Sequence, residues 1–215
     1  MSLTSLNNPL IIASVAVPNG QGHIGMTICP GKHQQNALSG QFQRDLALDL
    51  DFIKSWGASA VVSLMTDEEL ASLHVEALGT EVEARDMDWF QLPITDGTMP
   101  DETFERRWVY AGLRLRTLLR EGKRILVHCR SGLGRTGLIS ARLLIELGMP
   151  AEESIAAVNQ ARPGSLESTV QKQYLNALPL PLNDVLLDRV LGCFLCLYVV
   201  DDFGYIVEFD SLEKF

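Results

Sequence analysis

The 215-residue chain carries a formal net charge of −9, with 47% hydrophobic and 21% charged residues, a balance that suits one globular domain with a sizeable core and room for a short appendage. The negative charge argues against a nucleic-acid or anionic-membrane surface as the main partner. No stretch reaches the roughly 18 apolar residues of a membrane span; Val185–Val200 comes nearest, and Asp188 and Arg189 interrupt it. Met1–Asn8 lacks the charged start and apolar core of a secretion signal. Cys29, Cys129, Cys193 and Cys196 are irregularly spaced and make no disulfide framework, which fits a reducing, cytoplasmic setting.

Met1–Pro9 is polar and reads as a loose start. Leu10–Val17 is apolar and β-branched, a strand closed by Pro18-Asn19-Gly20, and His23–Cys29 is a second strand paired to it as a hairpin. Cys29 and Lys32 flank Pro30-Gly31. They can be a redox partner and a phosphate-facing lysine of an active site, or a buried strand-end thiol and an exposed lysine; we take the second. His23 and His33 have no metal-ligand companions and read as surface residues. Gln43–Trp56 sets Leu46, Leu50 and Ile53 on one helical face, with Gly57 as the stop. Ala58–Leu64 reads as a buried strand, and Thr66-Asp67-Glu68-Glu69 is a capping box opening a short helix to about Leu73. A charged, irregular or helical stretch to Met87 precedes a strand at Trp89–Pro93. The Gly-, Thr- and Pro-bearing loop Ile94–Pro100 follows. Asp101 is placed to cap a helix over Glu102–Glu121, whose stripe Phe104, Trp108, Ala111, Leu115 and Leu118 faces the core. Arg106, Arg107, Arg114, Arg116 and Arg120 of that helix are expected in solvent.

The stretch that carries chemistry comes next. The apolar run Ile125-Leu126-Val127 enters His128-Cys129-Arg130-Ser131-Gly132-Leu133-Gly134-Arg135-Thr136-Gly137, and an amphipathic segment from Thr136 to Leu147 leaves it. That is a buried strand, a glycine-bearing loop and a helix start. Backbone N–H groups in such a curl point inward, and the new helix adds the positive end of its dipole, so the loop is an anion cradle sized for phosphate. The same field favours a thiolate and is expected to lower the Cys129 pKa below the free value of about 8.5. Arg135 can grip two phosphate oxygens as a fork. Beyond it, Gly148-Met149-Pro150 ends the helix, Ala151–Ala161 forms another with Ile155 and Val158 inward, and Arg162-Pro163-Gly164-Ser165 breaks that one. Glu167–Leu178 is a last helix with Val170, Tyr174 and Leu178 on one face.

His128-Cys129-x5-Arg135-Thr136 resembles the signature loop of the protein tyrosine and dual-specificity phosphatases. The resemblance covers residues 10–178 and implies an α/β fold with a twisted, largely parallel central sheet flanked by helices. It implies Cys129 as the nucleophile and Arg130, Ser131, Gly132, Leu133, Gly134 and Arg135 as the phosphate-binding loop, where free phosphate or sulfate should sit. It also implies a Thr136 hydroxyl bonded to the sulfur, and His128 orienting the loop through its ring N–H groups. Leu92-Pro93-Ile94-Thr95-Asp96-Gly97-Thr98-Met99-Pro100-Asp101 is similar to the general-acid loop of the cyclin-dependent-kinase-associated phosphatases, making Asp96 the acid; an ordinary turn Asp before Gly97 is the other reading. Asp101 reads better as a cap, and Asp86 and Asp88 lie before the strand. Arg162-Pro163-Gly164 with Gln171-Lys172-Gln173-Tyr174-Leu175 resembles the segment after that loop in dual-specificity phosphatases, where a Gln positions the hydrolytic water. Gln171 is the candidate, with a solvent-facing helix Gln the alternative.

The implied activity is hydrolysis of phosphate monoesters on phosphorylated proteins, with no metal, cofactor, nucleic acid or membrane taking part. Nothing resembles the long phosphotyrosine-recognition loop of strictly tyrosine-specific enzymes, so a dual-specificity site is expected. A phosphoinositide phosphatase is the enzymatic alternative: Arg130 fits the habit of basic residues in that loop, and Leu133 does not. A phosphate-binding pseudophosphatase is the non-catalytic one, and loss of the Cys, Arg or acid would favour it, yet all three candidates stand here. Pro179-Leu180-Pro181-Leu182 signals a linker over 179–183. The remainder, 184–215, resembles a truncated opening helix of the ADP-ribosylglycohydrolases; Cys196 and Val200 stand where that pattern has Gly. Cys193-x-x-Cys196 there reads as helix packing.

Overall fold

The computed structural model describes residues 2–178 apart from 19, 21, 38 and 39. In chain order its elements are strands β1 (Ala13–Ala16), β2 (His23–Ile28), β3 (His33–Ala37) and β4 (Gly40–Gln43), helix α1 (Leu46–Ser55), strand β5 (Ala58–Ser63) and helices α2 (Asp67–Ser72) and α3 (Leu78–Glu83). Strand β6 (Asp88–Gln91), helix α4 (Glu102–Arg120), strand β7 (Arg124–Cys129) and helices α5 (Gly134–Glu146), α6 (Ala151–Ala161) and α7 (Thr169–Asn176) complete them. The central sheet has the order β1-β2-β7-β5-β6, parallel throughout except for β1. The α/β architecture with a largely parallel sheet is therefore as expected.

The most apolar strand sits in the middle. Ile125, Leu126 and Val127 of β7 are fully buried, as a strand covered on both faces must be. Because side chains alternate, Ile125 and Val127 join the core under α4–α7, with Phe104, Trp108, Leu115, Leu138, Val158 and Leu175. Leu126 joins the opposite core, with Leu50 and Ile53 of α1, Leu70 of α2 and Leu78 and Val82 of α3. Helix starts follow the sequence signals: the Asp45, Thr66 and Asp101 side chains each accept a hydrogen bond from their helix's first turn, and Thr66 with Glu69 completes the capping box.

Several expectations change. Leu10–Ile12 lie outside β1, although the β1–β2 antiparallel pairing stands, with Ala13 opposite Met26. The hairpin β3–β4 has no counterpart in the sequence reading, because its residues are mostly polar and, among the described residues, only Phe42 is buried within it. The start of the chain, read as loose, is tied to this hairpin: Leu3 bridges Phe42, its N–H donating to Gln41 O and its carbonyl accepting from Gln43 N. Arg116, expected in solvent, is buried and ion-paired with Glu146. Lys32, read as exposed, is only 3% exposed. On α7 Tyr174, with Leu178 beyond it, packs on the core as expected, but Val170 faces solvent, and Gln171 and Leu175 are the buried residues. The expected linker at 179–183 and the 184–215 tail, with Cys193 and Cys196, lie outside the described residues.

A buried ion pair locks α1 to the segment after β2. Arg44 forks onto Asp49 through Nε (2.7 Å) and Nη2 (2.8 Å) and reaches Asn8 O through Nη1, while Asp49 also accepts from Gly31 N. Removing one partner strands the other charge in the core. Asp49→Ala is therefore expected to cost about 3–5 kcal/mol in urea unfolding, and the paired exchange Arg44→Met with Asp49→Leu clearly less.

Candidate active site

Strand register fixes where the loop 129–135 leaves the sheet. Cys129 pairs with Ile28 of β2 and His128 with Ser63 of β5, so the loop emerges at the carboxyl ends of parallel strands, the usual place for ligands in open α/β sheets. Three successive carbonyls of the loop then face outward onto donors. Lys32 Nζ and the Cys29 N–H donate to Arg130 O, at 3.3 and 3.5 Å. Arg162 Nη2 donates to Ser131 O at 3.2 Å, and its Nε to Gly132 O. A peptide plane carries its N–H opposite its C=O, so the amides of residues 131–133 turn into the curl. Gly132 is required here: its φ is +66°, and a Cβ would lie 2.2 Å from Thr27 O. Helix α5 has no side-chain cap, which leaves its first N–H groups to an anion.

Arg135 is 5% exposed and held along one edge. Its Nη1 donates to Glu69 Oε2 (2.6 Å), Ile94 O (2.9 Å) and Leu64 O (3.2 Å), and Nη2 to Glu69 Oε1 (2.8 Å). Its Nε is buried with no hydrogen-bond partner. Burial lowers the Arg135 pKa, but Glu69, Cys129 and Asp96 outweigh it and raise the pKa overall. For Glu69, burial raises the pKa, and the Arg135 fork with the Thr66 N–H and Arg130 brings it below the ordinary value. Glu69, read only as half of a capping box, is thus a site residue that sequence reasoning missed.

Cys129, Arg135, Asp96 and Gln171 come together around one pocket of about 290 Å³, with Ser131, Gly134 and Ser168. Cys129 is 2% exposed. The Asp96 side chain is 74% exposed, on a turn held by Thr98 N–H to Thr95 O, with Oδ1 3.2 Å from Arg135 Nη2. Gln171 reaches this pocket beside Gly134, where even a Cβ would stand 3.4 Å from its Nε2. The Arg130 and Leu133 side chains line a neighbouring groove instead, with Arg130 Nη2 on Ser72 Oγ and its Nε 3.6 Å from Glu69.

Two expected contacts are not made. The Thr136 hydroxyl is buried without a hydrogen-bond partner, so it does not reach the Cys129 sulfur in this arrangement. Neither His128 ring nitrogen has a partner either; burial pushes that imidazole's pKa down to about 4, the Cys129 backbone opposing, so a neutral ring is packed under the loop. Cys29 is fully buried and its thiol is pushed well up, by burial first. Among the described residues no group of three or more His, Cys, Asp or Glu is placed to hold a metal ion, and no helix is long and apolar enough to cross a membrane.

The comparisons with known proteins agree with this geometry. Residues 41–149 match the family model described as "Polymorphic toxin system, DSP-PTPase phosphatase". Among curated proteins the chain is 43% identical over 70 residues to the tyrosine-protein phosphatase CDC14 of Saccharomyces cerevisiae, covering 32% of this chain and 12% of that one. It is 32% identical over 118 residues to the protein tyrosine phosphatase type IVA 2 of Mus musculus, covering 54% and 64%. The chain thus spans less than two thirds of the length of either. A solved structure of kinase associated phosphatase, with a serine for its catalytic-site cysteine, superposes with a TM-score of 0.69 at 25% identity, over 78% of this chain and 93% of that one.

Lys32 yields a pH-dependent prediction. Burial depresses its pKa from 10.5 to about 8, against the opposing pull of Cys29. Between pH 8 and 10.5 the unfolded chain therefore holds a proton the folded chain has released, and stability gains from this group as pH rises through that window. In denaturant titrations wild type should gain on Lys32→Met across it. A flat or falling difference would mean a solvated ammonium.

Proposed function

The chain belongs to the DSP-PTPase phosphatase family, and we propose that it hydrolyses phosphate monoesters on phosphorylated proteins, at tyrosine and at serine or threonine, through a phosphocysteine intermediate. The observation that carries this reading is one pocket lined by the Cys129 thiol, the Arg135 guanidinium, the Asp96 carboxyl and Gln171. The Cys129 thiolate attacks phosphorus and the bond from phosphorus to the leaving oxygen breaks, Asp96 supplying that oxygen's proton. The inward amides of residues 131–133, the first N–H groups of α5 and the free edge of Arg135 stabilise the equatorial oxygens. Water, oriented by Gln171, then attacks the phosphocysteine and gives a proton to Asp96. The sulfur–phosphorus bond breaks and the thiolate returns, with the Thr136 hydroxyl near enough in sequence to swing onto the departing sulfur. His128, neutral and buried, supports the loop and transfers no proton. Oxidation would disable a thiolate nucleophile, so a reducing, cytoplasmic setting suits it.

Protein substrates are favoured over phosphoinositides because Arg130 is turned onto Ser72 and Glu69, so its charge does not line the pocket. Phosphate release should be measured from matched phosphotyrosine and phosphothreonine peptides and from a phosphoinositide. Wild type should turn over the peptides, and Cys129→Ser should bind them without releasing phosphate. If neither protein releases phosphate while both bind, the chain is a phosphate-binding module. Asp96→Asn should lower kcat about 100-fold or more on peptides, and much less on an aryl phosphate whose leaving group needs no proton; equal losses on both would remove Asp96 as the acid. Glu69→Gln, which removes the anion forked onto Arg135, should weaken inhibition by free phosphate as well as turnover.

A further inference from the structure

A part-buried polar cluster unused by this chemistry joins α4, α5 and α7. Arg142 of α5 forks onto Glu105 of α4, Nη1 to Oε1 at 2.6 Å and Nη2 to Oε2 at 2.8 Å. The Tyr174 hydroxyl of α7 closes a triangle with them, accepting from Arg142 Nη1 at 2.6 Å and donating to Glu105 Oε1 at 2.9 Å. Arg142 Nε also donates to Glu146 Oε1 at 2.8 Å, which accepts from Trp108 Nε1 at 2.8 Å as well, and Arg116 pairs with the other oxygen of Glu146. The Arg142 side chain is 7% exposed and lies 4.7 Å over the Trp108 ring. Burial raises the Tyr174 hydroxyl's pKa and Arg142 opposes it, with the net shift upward, so the triangle is held by a neutral phenol between two charges.

Two of the helices it joins, α5 and α7, reach the pocket at their amino-terminal ends, and the third, α4, follows the pocket-lining loop that bears Asp96. α5 begins at Gly134-Arg135, and α7, with Ser168 at its N-cap, places Gln171 one turn before Tyr174. α7 is short and has no side-chain cap. Leu175 is its one fully buried apolar residue, with the Tyr174 ring partly packed on the core beside it, so the bonds of the Tyr174 hydroxyl add to a thin apolar contact. We propose that Tyr174, held by Arg142 and Glu105, is a positioning residue that sets Gln171 in the pocket and thereby governs hydrolysis of the phosphocysteine, leaving its formation untouched. Two residues on one helical face three apart move together, so a rotation of α7 released from the triangle would carry Gln171 off the water.

This inference rests on the reading in Proposed function, and its test separates the two. Rapid-quench kinetics on an aryl phosphate would time phosphocysteine formation and decay in wild type, Tyr174→Phe, Gln171→Ala and the double variant. Absence of both phosphate release and phosphocysteine in wild type would defeat the phosphatase reading itself. With wild type active, Tyr174→Phe should slow decay about 3- to 10-fold at unchanged formation rate and unchanged kcat/KM. The phosphocysteine should then accumulate as a burst, and adding Tyr174→Phe to Gln171→Ala should slow decay no further. Equal slowing of both steps, unchanged decay, or additive losses in the double variant would each overturn it. Tyr174→Phe removes one oxygen and keeps the ring, so loss of fold does not obscure the answer; Arg114→Ala, on the exposed Asp88 pair of α4, should match wild type in both steps.

Discussion

The carbonyls of Arg130, Ser131 and Gly132 cannot face the pocket and the solvent side at once, and the fold turns them outward onto Lys32 and Arg162. Because each peptide unit is planar, that choice aims the amides of the next residues inward. The anion cradle is thus made by what grips its outside. Gly132 is the point of closest approach, with its Cα packed against the β2 backbone at Thr27. Lys32 bears a cost for this: an ammonium taken out of water with only amide, carbonyl and aromatic-ring neighbours is retained where it orients the loop, at a depressed pKa.

Buried charge recurs wherever two elements must hold a fixed distance near the pocket. Arg44 with Asp49 sets the Pro30-Gly31 turn, Arg135 with Glu69 ties the loop to α2, and Arg142 with Glu105 and Glu146 ties α5 to α4. Such pairs seldom exceed well-packed apolar side chains in stability. What they provide is geometry, since a bidentate fork fixes angle as well as distance. The sheet supplies the rigid base. β7 lies at its centre, buried on both faces, and Cys129, the proposed nucleophile, stands at its last residue.

The fold was largely legible because the signals that build it are local. Apolar runs of β-branched residues mark β2, β5 and β7, and the caps Thr66 and Asp101 mark α2 and α4 where the sequence places them. The hairpin β3–β4 was not legible: its strands satisfy their backbone through each other and through Leu3, and polar side chains leave no periodic trace. The N-terminal segment was misjudged for the same reason, since its anchoring is backbone pairing to a hairpin that was itself invisible. Helix α7 is legible, and Tyr174 and Leu178 of its expected face pack on the core; Val170 does not, and the polar Gln171 is buried instead by the pocket it lines.

For the site, the sequence determined the residue types that chemistry requires at short spacing: a thiol, a guanidinium seven positions apart counting both ends, and the glycines that let the loop curl between them. It also located the loop bearing Asp96, which follows a strand and carries Gly, Thr and Pro, whereas Gln171 stands out only through the resemblance to the dual-specificity phosphatases. It did not determine which side chains hold those groups in place. Lys32, Glu69 and Arg162 are far from Cys129 along the chain or lie beyond the loop, and each looks like an ordinary turn, cap or helix-end residue until the sheet brings it there. Only the tertiary structure decided that Arg130 and Leu133 face a groove outside the pocket, or that Tyr174 sits in a triangle of charges. The physical reason is range: covalent spacing sets what neighbours along one strand or helix turn can do. Which distant cations meet the back of a loop is settled by the pairing of β2, β7 and β5 and by the burial that leaves their polar atoms no other partner.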